Sequence, residues 1–393
     1  MGVNTMNFEQ ASTLLASLHE QATGKSALTP TDLSEFISVA QSTLQAGYDP
    51  VINAISQVVG RTIIAVRPYD RKFRGLEASN DRWGGITRKI NFADRPAVDS
   101  KVYQLVDGQS VDQYEVRKPK VLQTNYVGSD VYTGFYTIFT TQLDSAFRSP
   151  EAFGEFMSGL MEHFSNEREQ WLENFTRSAV NNFIAGKIDM EASPSDPAVV
   201  HLLSEYNSLT GLSLTAQTVR QPANYSPFIK WLYARVGELS DKMAERSELY
   251  QAKITGYDIY RHTPVRDQRI YMLSEYLKSF ETEVKSDVYN AGYLNIAGVE
   301  GVSFWQSIKA PASIYTTPME IDTDGSYKEG SAVNKTTVIG VMFDRDAIAY
   351  NIFNDSMDTT PMNARGKFYN IFNNMNVRFT NDFTEKGIVL LLD

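Results

Sequence analysis

The sequence predicts an α+β fold in which one long helix lies along a sheet, and three observations support this prediction. An apolar stripe at helical spacing runs from residue 150 to residue 187. An aromatic, strand-like segment at 131–139 precedes that helix, and the chain closes on the strand-like run GIVLLLD. A basic, turn-rich segment near the N-terminus has no core pattern of its own, so the fold also needs a projecting element.

The composition is that of a folded protein with an acidic charge balance. The chain has 393 residues, a formal net charge of −10 and a hydrophobic fraction of 42%. It has no cysteine, which excludes disulfides, thiolate metal sites and cysteine nucleophiles. The N-terminus does not have the pattern of a secretory signal, and no apolar run approaches the ~20 residues that a membrane-spanning helix needs.

Short helices are predicted for the first sixty residues. In residues 29–47, apolar side chains recur at helical spacing, and Gly47 stands where a C-terminal cap belongs. Asp49-Pro50 then supplies an N-cap and a first-turn proline for a helix that Gly60 ends. Helices this short bury little surface alone, so we expect them to pack on another part of the protein.

Residues 61–95 form a basic segment, with nine Lys or Arg against four Asp or Glu. Strand-like runs at 62–66 and 86–92 with Gly84-Gly85 between them predict a hairpin. The chain then stays polar and turn-rich to about residue 125, which is too little apolar sequence for a globular unit. Aromatic residues argue against disorder, so we expect a projection that packs on a partner. These aromatic residues are Tyr69, Phe73, Trp83 and Phe92.

The longest predicted helix begins at a strong start signal. Ser149 can cap it, Pro150 suits its first turn, and Glu151 complements the positive end of its dipole. At ~1.5 Å rise per residue, a helix over 150–187 is roughly 54 Å long. A helix of that length exceeds the diameter of a small domain and indicates a structural beam.

A boundary follows the long helix, where Pro194 and Pro197 stand among Ser and Asp residues. The remaining predicted elements are, in chain order, a helix opened by Ser226-Pro227, a strand at 269–273 with a helix over 277–284, a strand at 338–343, an alanine-rich helix near 347–353, and two strand-like runs around a turn at 376–393.

Motifs for catalysis, cofactors and metals do not emerge, so we predict a protein that is not an enzyme and has no cofactor. The chain has no phosphate-binding glycine loop and no nucleophile elbow. His163 and Glu167 can share a helix face, but no second metal-binding motif accompanies them. The loop with Asp322 and Asp324 resembles a calcium loop, yet Gly325 is at the fourth position instead of the sixth, so a solvated turn is expected.

The charge distribution points to another copy of the protein as the partner of the basic segment. A basic, aromatic surface can bind RNA, but the acid excess of the remaining chain opposes a polyanion. A positive projection that meets a negative surface gives electrostatic complementarity. Contact between two different patches of one chain is heterologous, and such contacts build rings or shells. An ordinary exposed hairpin on an α+β enzyme is the alternative interpretation.

The order of elements resembles the major capsid proteins of tailed double-stranded DNA bacteriophages, those with the Hong Kong 97 fold. Several stretches are similar to capsid sequences of phages that infect Gram-positive hosts, and together they span most of the chain. They are NAISQVVGRTIIAVRPYDRKFRGLE (53–77), WGGITRKINF (83–92), KPKVLQTN (118–125), TIFTTQLDSAFRSPEAFGEF (137–156) and NFIAGK (182–187).

The resemblance implies a division of the chain and a set of contact residues. The implied parts are an N-terminal arm (1–60), an extended loop (61–125), a peripheral domain (126–195 and 351–393) with a spine helix (150–187), and an axial domain (196–350). In this family the extended loop lies over the neighbouring subunit, which makes its basic and aromatic residues candidates for intersubunit contacts. The candidates are Arg67, Tyr69, Arg71, Lys72, Arg74, Trp83, Arg88 and Lys89.

The same resemblance implies the partners and the location. Hexamers and pentamers of the chain would form an icosahedral head shell around double-stranded DNA, without sequence-specific binding and without a membrane. The N-terminal sixty residues are too short for the fused scaffolding extension of some relatives, so a separate scaffolding protein is expected, together with a portal protein. The shell would assemble in the bacterial cytoplasm and become part of the virion. An encapsulin-like compartment shell is the alternative of similar architecture.

Overall fold

The structure of the protein is a computed structural model in which the chain divides into two compact units. It describes residues 6–26, 29–61, 71–78, 86–95, 97, 103–104, 106–108, 110, 114, 116–191, 197–284 and 298–393. Unit 1 comprises Met1–Trp83, Gly128–Phe175 and Tyr350–Arg378, and unit 2 comprises Gly84–Val127, Thr176–Ala349 and Phe379–Asp393.

The helices and strands are numbered in chain order. The α-helices are α1 (Phe8–Thr23), α2 (Leu33–Gln45), α3 (Tyr48–Arg61), α4 (Thr140–Ala146), α5 (Pro150–Asp189), α6 (Leu202–Thr210), α7 (Pro222–Ala244) and α8 (Ser274–Glu283). The strands are β1 (Ile86–Phe92), β2 (Val121–Val127), β3 (Asp130–Phe139), β4 (Val199–His201), β5 (Gln268–Leu273), β6 (Val299–Val302), β7 (Ile314–Thr316), β8 (Met319–Ile321), β9 (Tyr327–Glu329), β10 (Val333–Lys335), β11 (Val338–Asp344), β12 (Ile348–Thr359), β13 (Phe368–Asn381) and β14 (Gly387–Leu391).

Unit 1 places its three N-terminal helices and the first part of α5 around one apolar core. Buried side chains of α1, α2 and α3, among them Leu15, Phe36 and Val51, belong to the same cluster as Phe153 of α5 and Tyr369 of β13. The expectation that the short N-terminal helices pack on another part of the protein is therefore confirmed. Their ends are fixed locally, because the side chains of Asn7 and Asp32 accept backbone N–H bonds at the starts of α1 and α2.

The sheet of unit 1 has three antiparallel strands in the order β12-β13-β3. Residues of β13 alternate along the strand between buried and half-buried side chains, as a strand with two different faces requires. The buried face includes Tyr369, Ile371 and Met375. On the same side of β3, Gly134 is covered by the ring of Trp171, and Tyr132 stacks on Phe175 with ring centroids 3.9 Å apart.

Unit 2 is built on a five-stranded sheet in the order β4-β14-β11-β5-β6. Every residue of β11 and β14 is buried, which explains the continuous apolar runs at VIGVMF and GIVLL. Phe183 stacks on Phe383 at 5.2 Å, and Gly387 leaves the space that the Phe183 ring occupies. Trp305 is fully buried and donates its indole N–H to the carbonyl of Val338 at 2.9 Å.

Several predicted elements are confirmed, including the spine helix, which is observed as Pro150–Asp189. The predicted strands at 131–139, 269–273 and 338–343 and the helix after the second of them are also present. Two predictions were wrong. The alanine-rich run near 347–353 belongs to strand β12, and the helix assigned to Ser226-Pro227 begins at Pro222. Strand β1 pairs with β2, and the predicted partner run at 62–66 lies outside the described residues.

The observed units group the chain differently from the implied domains. The final strand β14 belongs to the sheet of unit 2 and not to the part of the chain that holds β3 and β13. Strands β13 and β14, which the sequence places around one turn, therefore lie in different sheets. The assignments of peripheral and axial roles stay predictions.

We expect Gly134→Ala to destabilise the unassembled subunit by about 1–3 kcal/mol, because a Cβ atom would overlap the Trp171 ring in a packed site. Gly159 is the matched control, because a Cβ atom there meets nothing within 4 Å on α5. Gly159→Ala should stabilise the subunit by about 0.5–1 kcal/mol. Urea unfolding of the two variants measures both changes, and equal midpoints for them would contradict this account of the sheet.

The C-terminal residue is held by a charged cluster in unit 2. His201 lies beside Asp393 (Nδ1···Oδ1, 2.6 Å) and Glu191 (Nε2···Oε1, 2.8 Å), and Lys335 lies 3.2 Å from the other Asp393 oxygen. Burial opposes charge on the imidazole, but the hydrogen bonds and charges of Glu191 and Asp393 outweigh it and raise the pKa of His201.

Because the pKa of His201 is higher in the folded chain, its contribution to stability is complete below about pH 6.5 and is lost as the pH rises through the raised pKa. We expect the parent subunit to lose more stability than His201→Gln between pH 6 and pH 9. The difference should be on the order of 1 kcal/mol at most, since the cluster is partly exposed. Urea unfolding across this range tests the prediction, and parallel pH profiles would contradict it.

Candidate intersubunit surface

Strands β1 and β2 form a hairpin whose two faces differ in chemistry. They pair antiparallel in a register that places Phe92 opposite Val121 and Arg88 opposite Asn125. Directly opposed residues of an antiparallel pair share a face. One face therefore carries Thr87, Lys89, Asn91, Leu122, Thr124 and Tyr126, all half-buried, and we call it the hairpin inner face.

The hairpin inner face is fixed by ion pairs within unit 2. The ammonium group of Lys89 lies between the carboxylates of Asp382 and Glu385 and pairs with both. Arg261 pairs with the same Glu385 oxygen at 2.7 Å. Burial raises the pKa of the Tyr126 phenol far above its ordinary value, so this hydroxyl stays protonated next to Asp382.

Burial acts against ionisation of Asp382 and Glu385 as well. At Asp382, the charge of Lys89 and hydrogen bonds from Lys89 and Thr384 outweigh burial and hold the pKa below its ordinary value. At Glu385, burial is stronger than the attraction of Lys89 and Arg261, and the pKa is raised.

The opposite face of the hairpin is exposed and largely apolar. Among its members, Ile90 is 51% exposed, Phe92 is 62% exposed and Val127 is 67% exposed. Arg88 lies among them and has no hydrogen-bonding partner in the described part of the chain. We call this the hairpin outer face, and its described side chains are Arg88, Ile90, Phe92, Val121, Gln123, Asn125 and Val127.

The connection between β1 and β2 adds further exposed apolar side chains. Tyr103 is 98% exposed, and Tyr114 and Val116 are also exposed. Near the base of this connection, Asp94 binds unit 2 by accepting from Arg246 and from the N–H of Tyr260 (2.8 Å). The hairpin is thus attached to its own unit while much of its apolar surface remains uncovered.

Arg71, from the basic segment, is buried in unit 1 with 6% of its surface exposed. Its guanidinium donates to Glu169 of α5 at 2.8 and 2.9 Å, to Glu77 at 2.6 Å and to the hydroxyl of Tyr350 at 2.6 Å. This planar, multidentate arrangement is one that arginine forms and lysine does not. Arg71 therefore ties the basic segment to α5 and β12 within one unit.

The structure separates the candidate contact residues into three groups. Arg71 and Lys89 have ionic partners in their own chain, and their assignment to contacts with a neighbour stays a prediction. Lys72, Arg74 and Arg88 are exposed, and their assignment stays a prediction. Arg67, Tyr69 and Trp83 lie outside the described residues.

Sequence reasoning missed Ile90, Val121 and Val127 of the hairpin outer face, and it named Phe92 as an aromatic residue of the projection but not as a contact residue. The period-2 pattern was present in ITRKINF and VLQTNYV. It could have been read as two faces, but only the pairing of β1 with β2 shows which residues lie together.

The other candidate sites are solvated surfaces. His163 and Glu167 lie 3.8 Å apart on an exposed part of α5. Asp322 and Asp324 accept local hydrogen bonds in the turn between β8 and β9, and these bonds lower the pKa of each carboxyl. Within the described ranges, no cluster of three or more His, Asp or Glu could hold a metal ion. No helix among those ranges has the length and apolar character needed to cross a bilayer.

Comparison with known proteins gives a family match over almost the whole chain. Residues 13–390 match the model of the Phi29-like phage major capsid protein family. No curated protein matches the sequence.

Two solved structures are similar in fold at low sequence identity. A chain in the capsid structure of Staphylococcus phage Andhra has a TM-score of 0.53 and 10% identity, with 84% of this chain and 86% of that chain covered. A chain in the structure of the head fiber and inner core protein gp22 of native bacteriophage P68 has a TM-score of 0.55 and 10% identity, with 85% and 87% covered.

We expect Arg71→Ala to destabilise the unassembled subunit by about 2 kcal/mol, because it leaves Glu169 and Glu77 without their shared cation. The loss stays below the 3–5 kcal/mol of a fully buried pair, since both acids are partly exposed. The adjacent Lys72 is exposed, so Lys72→Ala should change stability by less than about 0.5 kcal/mol. Equal urea midpoints for the two variants would contradict the anchoring role of Arg71.

Proposed function

The chain belongs to the Phi29-like phage major capsid protein family, and we propose that it assembles through its hairpin outer face into the closed icosahedral shell of the phage head. It is a structural protein of that shell. Membership of this family favours this function over the compartment-shell and enzyme alternatives. The fold we propose is the Hong Kong 97 type, with unit 1 as the peripheral part and the five-stranded sheet of unit 2 in the axial part.

The hairpin outer face is the observation that carries the assembly proposal. Four exposed apolar side chains, Ile90, Phe92, Val121 and Val127, lie on one face of a strand pair whose other face is fixed by Lys89, and the first three are neighbours in the register. Contiguous exposed apolar surface on a soluble chain marks an interaction site. An exposed arginine within it, Arg88, is a residue type enriched at interface hot spots.

The form of assembly follows from contact between two different patches of the chain, one on each neighbouring copy. A hairpin that docks on a different surface of its neighbour makes a heterologous contact, which closes into rings. We propose hexamers and pentamers of the chain as these rings, joined into the shell. The shell would assemble in the bacterial cytoplasm and remain in the virion.

Packaged double-stranded DNA is the proposed content of the shell. The net charge of −10 opposes strong binding of a polyanion, so DNA would be held by enclosure and not by sequence-specific contacts. No membrane contact is proposed.

A separate scaffolding protein and a portal protein are the further proposed partners. Helices α1, α2 and α3 contribute Leu15, Phe36 and Val51 to the core of unit 1. Removing this part of the chain would open that core, so it is unsuited to act as a scaffold that is discarded. Uniform DNA-free shells formed by the purified chain alone would contradict the need for a separate scaffold.

We expect the double substitution Ile90→Glu and Phe92→Glu to leave the subunit folded and to lower the yield of shells at least about tenfold. Both side chains are exposed in the subunit, so the fold tolerates charge there, whereas a desolvated contact does not. Negative-stain electron microscopy and sedimentation, in cells that also make the other phage head proteins, measure the yield.

The matched control keeps the same positions apolar. Ile90→Leu with Phe92→Leu should assemble to within about twofold of the parent, because both positions keep a large apolar side chain and such changes cost little. Circular dichroism of both variants checks that the subunit is folded. Normal shells from the glutamate variant would overturn the role of the hairpin outer face.

A further inference from the structure

Three side chains of unit 2 bring an amine and two carboxyl groups into direct contact. Lys89 extends from β1, and Asp382 and Glu385 lie in the turn between β13 and β14. Both acids are almost fully buried, with 3% of Asp382 and 7% of Glu385 exposed. The Lys89 ammonium pairs with Oδ2 of Asp382 and with Oε1 of Glu385. We call these three residues the amine–carboxyl cluster.

The second oxygen of Asp382 lies among hydrogen-bond donors. Its Oδ1 accepts from the backbone N–H of Thr384 at 2.9 Å and from the Thr384 hydroxyl at 2.6 Å. The two carboxyl oxygens therefore have different surroundings, because Oδ2 faces the amine and Oδ1 faces the donors. Donors in this position stabilise the negative charge that develops on a carboxyl oxygen when a nucleophile attacks the carbon.

Backbone and side-chain bonds hold the cluster in place. The N–H of Asp382 donates to the carbonyl of Ala347 at 2.7 Å, and the N–H of Glu385 donates to the carbonyl of Asp382 at 3.2 Å. Arg261 donates to the Thr384 hydroxyl at 3.2 Å and pairs with Glu385 at 2.7 Å. Reacting groups that are held in contact reach effective molarities of ~10⁵ M or more. Bond formation between them therefore does not depend on a rare encounter.

The acid–base properties of the cluster suit removal of a proton from the amine. Burial raises the pKa of Glu385, because it outweighs the attraction of Lys89 and Arg261. A carboxylate with a raised pKa is a stronger base, and an ammonium group becomes a nucleophile only after it loses a proton. Burial opposes ionisation of Asp382 as well, but the charge of Lys89 outweighs it and lowers the pKa of Asp382. The cluster therefore starts as an ion pair beside a base.

We propose that Lys89 and Asp382 join in an isopeptide bond within the chain, with Glu385 as the catalytic residue that carries the protons. Glu385 accepts one proton from Nζ and passes it to Oδ2, so that a neutral amine attacks Cγ of a neutral carboxyl group. The N–H and hydroxyl of Thr384 stabilise the charge on Oδ1. A second proton then moves from the nitrogen to Oδ2, which leaves as water. One Nζ–Cγ bond forms, one Cγ–Oδ2 bond breaks, and the amide nitrogen keeps one proton.

The bond makes the attachment of the hairpin inner face covalent. It joins β1 of the hairpin to the turn before β14, a strand of the five-stranded sheet. An ion pair weakens in salt and when its acid is protonated, whereas an amide does not. Both residues belong to unit 2 of one chain, so the bond forms in the unassembled subunit. The inference is therefore independent of the proposed function.

The mass of the denatured parent chain is the decisive measurement. We expect intact-protein mass spectrometry to show the loss of one water, about 18 Da, relative to the unlinked chain. Trypsin does not cleave after an acylated lysine, so residues 89–101 should stay attached to residues 379–386 in one branched peptide. A parent chain of full mass that releases the two peptides separately would overturn the proposal.

Lys89→Arg separates this bond from other losses of water. Arginine keeps the positive charge but has no amine that attacks a carboxyl group, so this variant should have its full mass and give no branched peptide. Cyclisation of an aspartate elsewhere would still remove water from the variant, and an unchanged loss would contradict the bond. The matched control is Lys120→Arg, at an exposed lysine beside β2, which should lose one water as the parent does.

Glu385→Gln tests the proton carrier. Glutamine keeps the size of the side chain and can accept a hydrogen bond from Lys89, but it does not take up a proton. We expect the crosslinked fraction at a fixed time after synthesis to fall at least about tenfold, and circular dichroism checks that the subunit is folded. A crosslinked fraction equal to that of the parent would overturn the catalytic role of Glu385.

Discussion

The ion pairs of Lys89 with Asp382 and Glu385 determine which face of the hairpin stays exposed and available for contact with other molecules. A two-stranded sheet has two faces and little stability alone. Once the hairpin inner face is bound to its own unit, Ile90, Phe92 and their neighbours must point outward. Burying two carboxylates is costly, and Lys89, which pairs with both, offsets part of that cost together with Arg261 at Glu385. The hairpin outer face is therefore exposed because ion pairs bind the hairpin inner face to unit 2.

Arg71 is likewise bound by acidic residues of its own unit, unit 1. Its guanidinium is buried and donates to Glu169, Glu77 and Tyr350, so it contributes to the fold of unit 1. The cations of the basic segment are thus divided between internal anchors and exposed positions such as Lys72 and Arg74. A net positive segment in an acidic chain does not by itself identify a contact surface. Burial and local partners decide the role of each cation.

Much of the fold could be predicted from local sequence signals such as helix starts and apolar runs. These signals depend only on residues that are close together in the sequence. The start of α5 follows from Ser149-Pro150-Glu151, and β14 follows from its apolar run. Pairing and grouping depend on distant residues. This explains why the sequence did not reveal β2, which lies beyond a long connection, as a partner of β1, and why it grouped β14 with β13. The run AIAYNIF has helix-forming alanines, yet its alternating burial suits a strand in the sheet with β13, so tertiary packing outweighs propensity there. For the candidate surface, the composition of the segment indicated an interaction, but only the register of β1 and β2 separates Arg88 from Lys89.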